Sequence, residues 1–134
     1  MSEIIPRWEW RSFDRQFGTA ASRLRALTPV GVQESDEIYL LHGTGDNVKV
    51  RDRLMDIKVL KQVDEDGLEQ WTPVMKQSFP LPAEVVAKVH EALRLPVPPL
   101  PRPGYSLDEF ITDFAAPGRA IRAVQVHKLR TRYK

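Results

Sequence analysis

The chain has 134 residues, 42% of them hydrophobic, which is enough for one buried core but short for two domains. We therefore expect a single domain over residues 1–134. The 20 Lys and Arg residues nearly balance the 18 Asp and Glu residues, and the formal net charge of +2 does not indicate a nucleic-acid-binding protein. The absence of cysteine excludes disulfides, thiolate zinc sites and thiol catalysis. Short apolar runs and an N-terminus without a secretory pattern predict a cytoplasmic protein without membrane contact.

The N-terminal segment is predicted to form a strand followed by a helix. Residues 7–13, RWEWRSF, alternate so that Arg7, Glu9 and Arg11 share one side of a strand. Residues 14–27 repeat apolar side chains at helical spacing and predict a short helix.

The middle of the chain is rich in β-forming sequence. Residues 35–51 predict a hairpin, because two β-prone runs flank the turn-rich sequence HGTGD. Residues 55–63 and 68–79 predict two further strands, and Pro73 indicates an edge strand or a bulge in the second of them. Four successive strands imply an antiparallel meander.

The C-terminal part adds helices and a last strand. Residues 81–95 predict an amphipathic helix, and the connector 96–103 has five prolines in eight residues. Ser106 and Glu109 form the pattern of a capping box at the start of another helix, and residues 119–134 predict a strand. The element order predicts an α+β fold whose antiparallel sheet curls into an open or closed barrel, with about three flanking helices.

Basic residues recur at alternate positions of three predicted strands, and each set therefore points to one face of the sheet. The sets are Arg7 and Arg11, then Lys49 and Arg51, then Lys128, Arg130 and Arg132. A single row of this kind is explained by a solvated face whose cations pair with neighbours such as Asp56 or Glu69. Three rows repel one another unless something negative lies between them, and phosphate groups suit Arg and Lys well.

The histidines and glycines give weaker signals. His42, His90 and His127 are too scattered to indicate a metal cluster. We expect His90 on a helix surface and His127 pointing away from the basic face. The glycines of HGTGD fit a hairpin turn better than a phosphate-binding loop, because the lysine of such a loop is missing.

The segments RWEWRSF, DEIYLL, NVKVR, MDIK, LEQWTPV and VQVHKLRTRY resemble the strand series of the CYTH superfamily, the triphosphate tunnel metalloenzymes. In that family, antiparallel strands close into a tunnel that binds triphosphate with Mg²⁺ or Mn²⁺. Its members hydrolyse inorganic or thiamine triphosphate, or cyclise ATP. The resemblance covers most of the chain between residues 7 and 133, through short and degenerate motifs.

The resemblance implies roles for individual residues. Glu9 matches the second acidic residue of the first strand and is the implied ligand of Mg²⁺ or Mn²⁺. The implied phosphate ligands are Arg11, Lys49, Arg51, Lys58, Lys128, Arg130 and Arg132. Two features depart from the family pattern: Arg7 replaces the first glutamate, and the sequence ends at Lys134, before the acidic C-terminal strand. A truncated chain and a barrel completed by a second subunit are both open as explanations.

Three functions follow as expectations. The first is binding of a triphosphate-bearing small molecule, with metal-dependent hydrolysis as an open extension. The second is a catalytically silent relative that binds an anion or a partner protein. The third, a nucleic-acid-binding sheet, is disfavoured by the small net charge.

Overall fold

A computed structural model describes residues 7–43 and 46–134. Its strands are β1 (Arg7–Glu9), β2 (Gly31–Leu41), β3 (Asn47–Arg51), β4 (Leu54–Val63), β5 (Glu69–Ser78), β6 (Leu81–Pro82), β7 (Gly104–Tyr105) and β8 (Arg122–Arg132). Its helices are α1 (Thr19–Arg25), α2 (Ala83–Ala92) and α3 (Leu107–Phe110), and α3 continues into a π-helical turn, Ile111–Ala115. None of the helices in these two ranges has the length and apolar character needed to cross a membrane.

Six of the strands form one antiparallel sheet in the order β1-β5-β4-β3-β2-β8. The sheet curls into an open half-barrel, which confirms the predicted α+β class and antiparallel sheet but leaves the closed tunnel unobserved. Strand β2 pairs with β8 over eleven residues, whereas β3 pairs only with residues Glu37–Tyr39 of β2. The first part of β2 and the last part of β8 therefore form a two-stranded extension of the sheet.

The two faces of the sheet differ in chemistry because side chains alternate along each strand. One face carries Leu40, Val48, Val50, Met55 and Ile57, which form the core together with side chains from the helices. We call the other side, which carries Glu37, Tyr39, Lys49, Arg51, Asp56 and Lys58, the polar face. The helices cover the apolar face.

Helix α2 packs against the apolar face through Val86 and Val89. The expectation of a surface position for His90 is wrong: the side chain is 4% exposed, and it is held by contacts on both sides. Its Nδ1 lies 2.9 Å from the carbonyl oxygen of Val86, and its ring packs edge-on against Phe114 at 4.9 Å. The apolar stripe of α2 is wide enough to bury an imidazole whose polar atom is satisfied within the helix.

The capping box at α3 is present as predicted, because the Ser106 hydroxyl accepts a hydrogen bond from the Glu109 backbone N–H and the Glu109 carboxylate accepts one from the Ser106 N–H. Of the two alternatives predicted for Pro73, an edge strand or a bulge, the structure shows a bulge: the pairing of β4 with β5 shifts register between the partners of Pro73 and Met75.

The first strand is shorter than predicted. Residues Arg7–Glu9 pair with Glu69–Trp71 at the start of β5. Leu68, the residue before Glu69, already belongs to the turn between β4 and β5. The helix α1 begins at Thr19 because Gly18 adopts a φ of 52°, outside the helical region. No residue of α1 is buried, and Trp10 and Phe13, which precede the helix, are exposed.

Candidate anion-binding site

The register of the sheet brings the predicted cations onto the polar face. Residues directly opposite each other in an antiparallel ladder point to the same side. Lys49 lies between Tyr39 of β2 and Asp56 of β4, and Arg51 lies opposite Glu37. The remaining opposite pairs are Asn47 with Lys58, Ser35 with Lys128 and Gln33 with Arg130.

Five of the predicted phosphate ligands line one cavity on this face, which we call the basic cavity. Its charged lining residues are Lys49, Arg51, Lys58, Lys128, Arg130 and Glu37. The free space among them is about 40 Å³, which is little more than the volume that one water molecule occupies. A chain of phosphates therefore requires the side chains to move outward, which long Lys and Arg side chains can do without a backbone change.

Glu37 lies at the centre of the basic cavity and is 2% exposed. Lys49 Nζ is 3.7 Å from its Oε1 and Lys128 Nζ is 3.1 Å from its Oε2, so the two carboxylate oxygens face different lysines. The Lys128 contact is an ion pair outside hydrogen-bond geometry, and Oε2 accepts no hydrogen bond from the described residues. Burial favours a higher pKa for Glu37, but Lys128 and Lys49 outweigh it and hold the pKa below its ordinary value.

Lys49 is a buried cation among other cations. Burial lowers the pKa of its ammonium group, Glu37 acts in the opposite direction, and Lys128 and Arg51 lower the pKa further. The ring of Tyr39 lies close to both lysines, with its centroid 5.7 Å from Lys49 Nζ and 6.0 Å from Lys128 Nζ. Lys128 Nζ also donates to the Tyr39 hydroxyl at 3.4 Å. Lys49 thus carries a charge that its surroundings only partly stabilise.

The other cations divide into paired and unpaired groups. Arg51 Nη2 lies 3.6 Å from Oδ2 of Asp56, the kind of pairing that the alternative of a solvated face expected, but Asp56 is buried rather than solvated. Within the described residues, no carboxylate approaches Lys58 or Arg130 to within the 4.0 Å of an ion pair. Five positive and two negative side chains give a local balance of +3. The basic cavity therefore has an excess of positive charge at short range.

Two of the predicted phosphate ligands lie outside the basic cavity. Arg132 is opposite Gly31, at the far end of the two-stranded extension. Arg11 lies at the β1 edge of the sheet, where its guanidinium group is 5.0 Å from the centroid of the Trp71 ring. The structure brings together the cations of β3, β4 and β8 but leaves these two apart from them.

Glu9, the predicted metal ligand, lies opposite Glu69 on the polar face. Arg11 Nη2 is 2.8 Å from Glu9 Oε2, and Arg11 Nε is 3.8 Å from Glu69 Oε1. Two carboxylates are suitable oxygen ligands for Mg²⁺, but a guanidinium group already bridges them. Across the described residues, no three His, Asp or Glu side chains are grouped for metal binding. These donors do not fit a preformed metal site, and the role of Glu9 stays a prediction.

A larger groove lies against the other side of the β2–β8 extension and is unsuited to anions. Carboxylates of Glu34 and Asp36 line it together with His127, whose two ring nitrogens each lie 2.7 Å from one of them. The hydrogen bonds to Asp36 and Glu34 raise the pKa of His127. His127 thus points away from the basic cavity. The carboxylates around it give the groove negative charge, which repels an anion.

Comparison with known proteins gives no match to a protein-family model, to a curated protein or to a solved structure.

Sequence reasoning missed Glu37 as part of the site. A signal was present, because Glu37 alternates with Gln33, Ser35 and Tyr39 and so belongs to the polar side of its strand. A glutamate on a polar strand face is normally solvated, however. Only the register, which places lysines from β3 and β8 on either side of it, shows that this one is buried.

Proposed function

We propose that the basic cavity binds the phosphates of a small molecule that carries a triphosphate or polyphosphate group. The observation that carries this proposal is the convergence of five cations on one small cavity, with two carboxylates among the described residues to offset them. Like charges at such distances repel, and their partners in the fold neutralise them incompletely. A multivalent anion supplies the missing negative charge.

The types of the lining residues favour phosphate over a simpler anion. Arg51 and Arg130 offer planar guanidinium forks for phosphate oxygens, and three lysines offer compact charges that adjust to a chain of phosphates. Lys58 and Arg130 come from opposite ends of the four-strand row β4-β3-β2-β8, so an extended anion can contact both. A confined cavity with a balance of only +3 suits a small molecule better than nucleic acid.

The proposal includes a tunnel that is closed around the anion. The half-barrel ends at β8, which pairs with β2 on one side and has no partner strand on its other side among the described residues. An eleven-residue edge with free backbone donors and acceptors is a site for further strand pairing. A strand added there would extend the sheet over the basic cavity.

The proposal covers binding of the phosphates, and experiment decides whether metal-dependent hydrolysis follows. Glu9 and Glu69 share one polar edge but are bridged by Arg11, and Glu9 is not part of the cavity lining. Binding and turnover therefore rest on different residues. A protein that binds triphosphate without releasing phosphate, in the presence of Mg²⁺ or Mn²⁺, is the silent relative.

The test uses titration calorimetry with inorganic triphosphate and two lysine variants of β4. Lys58 lines the cavity, whereas Lys61 is exposed on the same strand outside it, so Lys61→Ala is a matched control for charge. Lys58→Ala should weaken binding roughly tenfold, because a partly exposed charge-assisted contact is worth on the order of 1.5 kcal/mol. Lys61→Ala should bind like wild type.

Two results would contradict the proposal. One is a wild-type protein that shows no triphosphate binding at low salt. The other is an equal loss in both lysine variants, which would mean that only the overall charge of the protein matters. Phosphate release measured in the same samples, with Mg²⁺ or Mn²⁺, then decides between enzyme and silent relative.

A further inference from the structure

Glu37 occupies the place in which a negatively charged ligand group would be most strongly attracted. Its carboxylate lies between Lys49 and Lys128, with one oxygen toward each ammonium group, and is almost completely buried. In the protein alone, these two central lysines therefore share one carboxylate of the fold as their counter-ion. The unpaired cations, Lys58 and Arg130, are the ones that an anion meets without displacing anything.

A phosphate chain that reaches the centre of the cavity must take Lys49 and Lys128 away from Glu37. The carboxylate then stays buried beside a negative ligand with weakened partners. A buried carboxylate that loses its ion pairs costs several kcal/mol when it stays charged. The cheaper state is a protonated carboxyl group, which removes the repulsion and can donate a hydrogen bond to a phosphate oxygen.

We propose that binding of a polyphosphate in the basic cavity is coupled to uptake of one proton from solvent by Glu37, which acts as a displaceable internal counter-anion. This inference rests on the proposed anion binding and concerns the same site. Its consequence is that affinity increases as the pH falls, beyond any change caused by protonation of the ligand.

The surroundings of Glu37 identify it as the group that takes up the proton. The charged and titratable side chains around it are Tyr39 on β2, Lys49 and Arg51 on β3, Asp56 and Lys58 on β4, and Lys128 and Arg130 on β8. Asp56 is the other carboxylate of this set, but it lies two strands from Glu37, and Arg51 contacts it through Nη2 alone. The other nitrogens of the guanidinium group can bind phosphate without leaving Asp56. The geometry thus predicts that substitution of Asp56 leaves the proton uptake in place.

The experiment measures triphosphate binding and proton uptake together, by calorimetry in two buffers of different ionisation enthalpy at about pH 6. The variants are Glu37→Gln, Asp56→Asn and Glu34→Gln. The last is a matched control, because it removes the same charge from the same strand on the side away from the cavity. Protonation of triphosphate itself is common to all samples and cancels when the variants are compared with wild type.

The expected result is that wild type, Asp56→Asn and Glu34→Gln take up about one proton more per bound triphosphate than Glu37→Gln does. Glu37→Gln should also bind roughly tenfold more tightly at neutral pH, because the ligand no longer competes with a carboxylate. Equal proton uptake in Glu37→Gln and wild type would overturn the inference, and so would weaker binding by Glu37→Gln.

The two proposals fail in different ways. Wild-type protein that does not bind triphosphate ends both of them. If wild-type protein binds triphosphate and the only protons taken up are those that triphosphate itself gains, the role of Glu37 is refuted and the anion-binding proposal stands. That second result needs no variant, so it stands even if Glu37→Gln folds poorly.

Discussion

Substitution of Arg51 should affect stability and anion binding through different partners. In the fold, Arg51 Nη2 lies 3.6 Å from Asp56 Oδ2, and the Asp56 side chain is 4% exposed whereas that of Arg51 is 24% exposed. Arg51→Ala leaves the Asp56 carboxylate buried, with Lys49 opposite it on β3 and Lys76 opposite it on β5. Breaking a fully buried ion pair costs about 3–5 kcal/mol, and the partial exposure of Arg51 together with the two opposite lysines reduces our expectation to about 2 kcal/mol.

The double variant Arg51→Ala/Asp56→Asn separates the two effects. Neutralising Asp56 removes the orphaned charge, so the double variant should be more stable than Arg51→Ala by about 1 kcal/mol. It should nevertheless bind triphosphate roughly 10- to 100-fold more weakly than wild type, because the guanidinium group is still missing. Stability is measured by urea unfolding followed by circular dichroism, with the slope m compared among the variants.

The outcome of this double-mutant cycle is decisive in both directions. Additive losses of stability would show that Arg51 and Asp56 do not interact and would refute the reasoning from their distance. An Arg51→Ala protein that binds triphosphate as tightly as wild type would show that the basic cavity is not the anion site.

Three further variants test separate parts of the molecule. Glu9→Gln should change triphosphate affinity by less than about twofold in calorimetry, because Glu9 does not line the basic cavity. Ser106→Ala should lower the free energy of unfolding, measured in urea, by about 1 kcal/mol, since the cap of α3 is lost. Ser106→Thr should retain most of that stability, because threonine can also cap the helix. The lowered pKa of Glu37 gives the fold stability that is present above its ordinary value of 4.5 and is lost as the pH falls through the folded value. Acid unfolding of Glu37→Gln should therefore depend less on pH than that of wild type, and equal slopes would contradict this assignment.

The faces of the strands could be predicted from the sequence, because side chains alternate with a period of two wherever a strand forms. Lys49 and Arg51 had to share a side, and so had Lys128 and Arg130. The sequence contains no comparable rule for the register between strands distant in the chain. The contact of Lys128 with Glu37, 91 positions earlier, follows from an eleven-residue ladder that no local pattern specifies.

The errors of the sequence analysis also have physical causes. Helical periodicity placed Val86 and Val89 in the core but could not give the width of the buried stripe, and His90 was misplaced for that reason. The first strand ends at Glu9 because its antiparallel partner, β5, begins at Glu69, and this limit depends on tertiary pairing rather than on local sequence. The resemblance assigned Arg11 a phosphate-binding role by its spacing, yet Arg11 lies beyond the paired residues and contacts carboxylates of the edge instead.

The cations of the basic cavity impose a cost on the protein alone that the anion would remove. Glu37 and Asp56 neutralise part of the charge, which lets the lysines and arginines lie close together in a folded chain without ligand. The remaining balance of +3 still disfavours folding by mutual repulsion. Burial is the main cause of the lowered pKa of Lys49, and repulsion from Lys128 and Arg51 lowers that pKa further. A ligand that binds only the folded protein raises its stability in proportion to the logarithm of ligand concentration over Kd. Triphosphate should consequently raise the melting temperature more than a monovalent anion at equal ionic strength, because bulk screening is then matched and only direct binding differs. Equal shifts with both anions would mean that the charges of this face are relieved by screening alone.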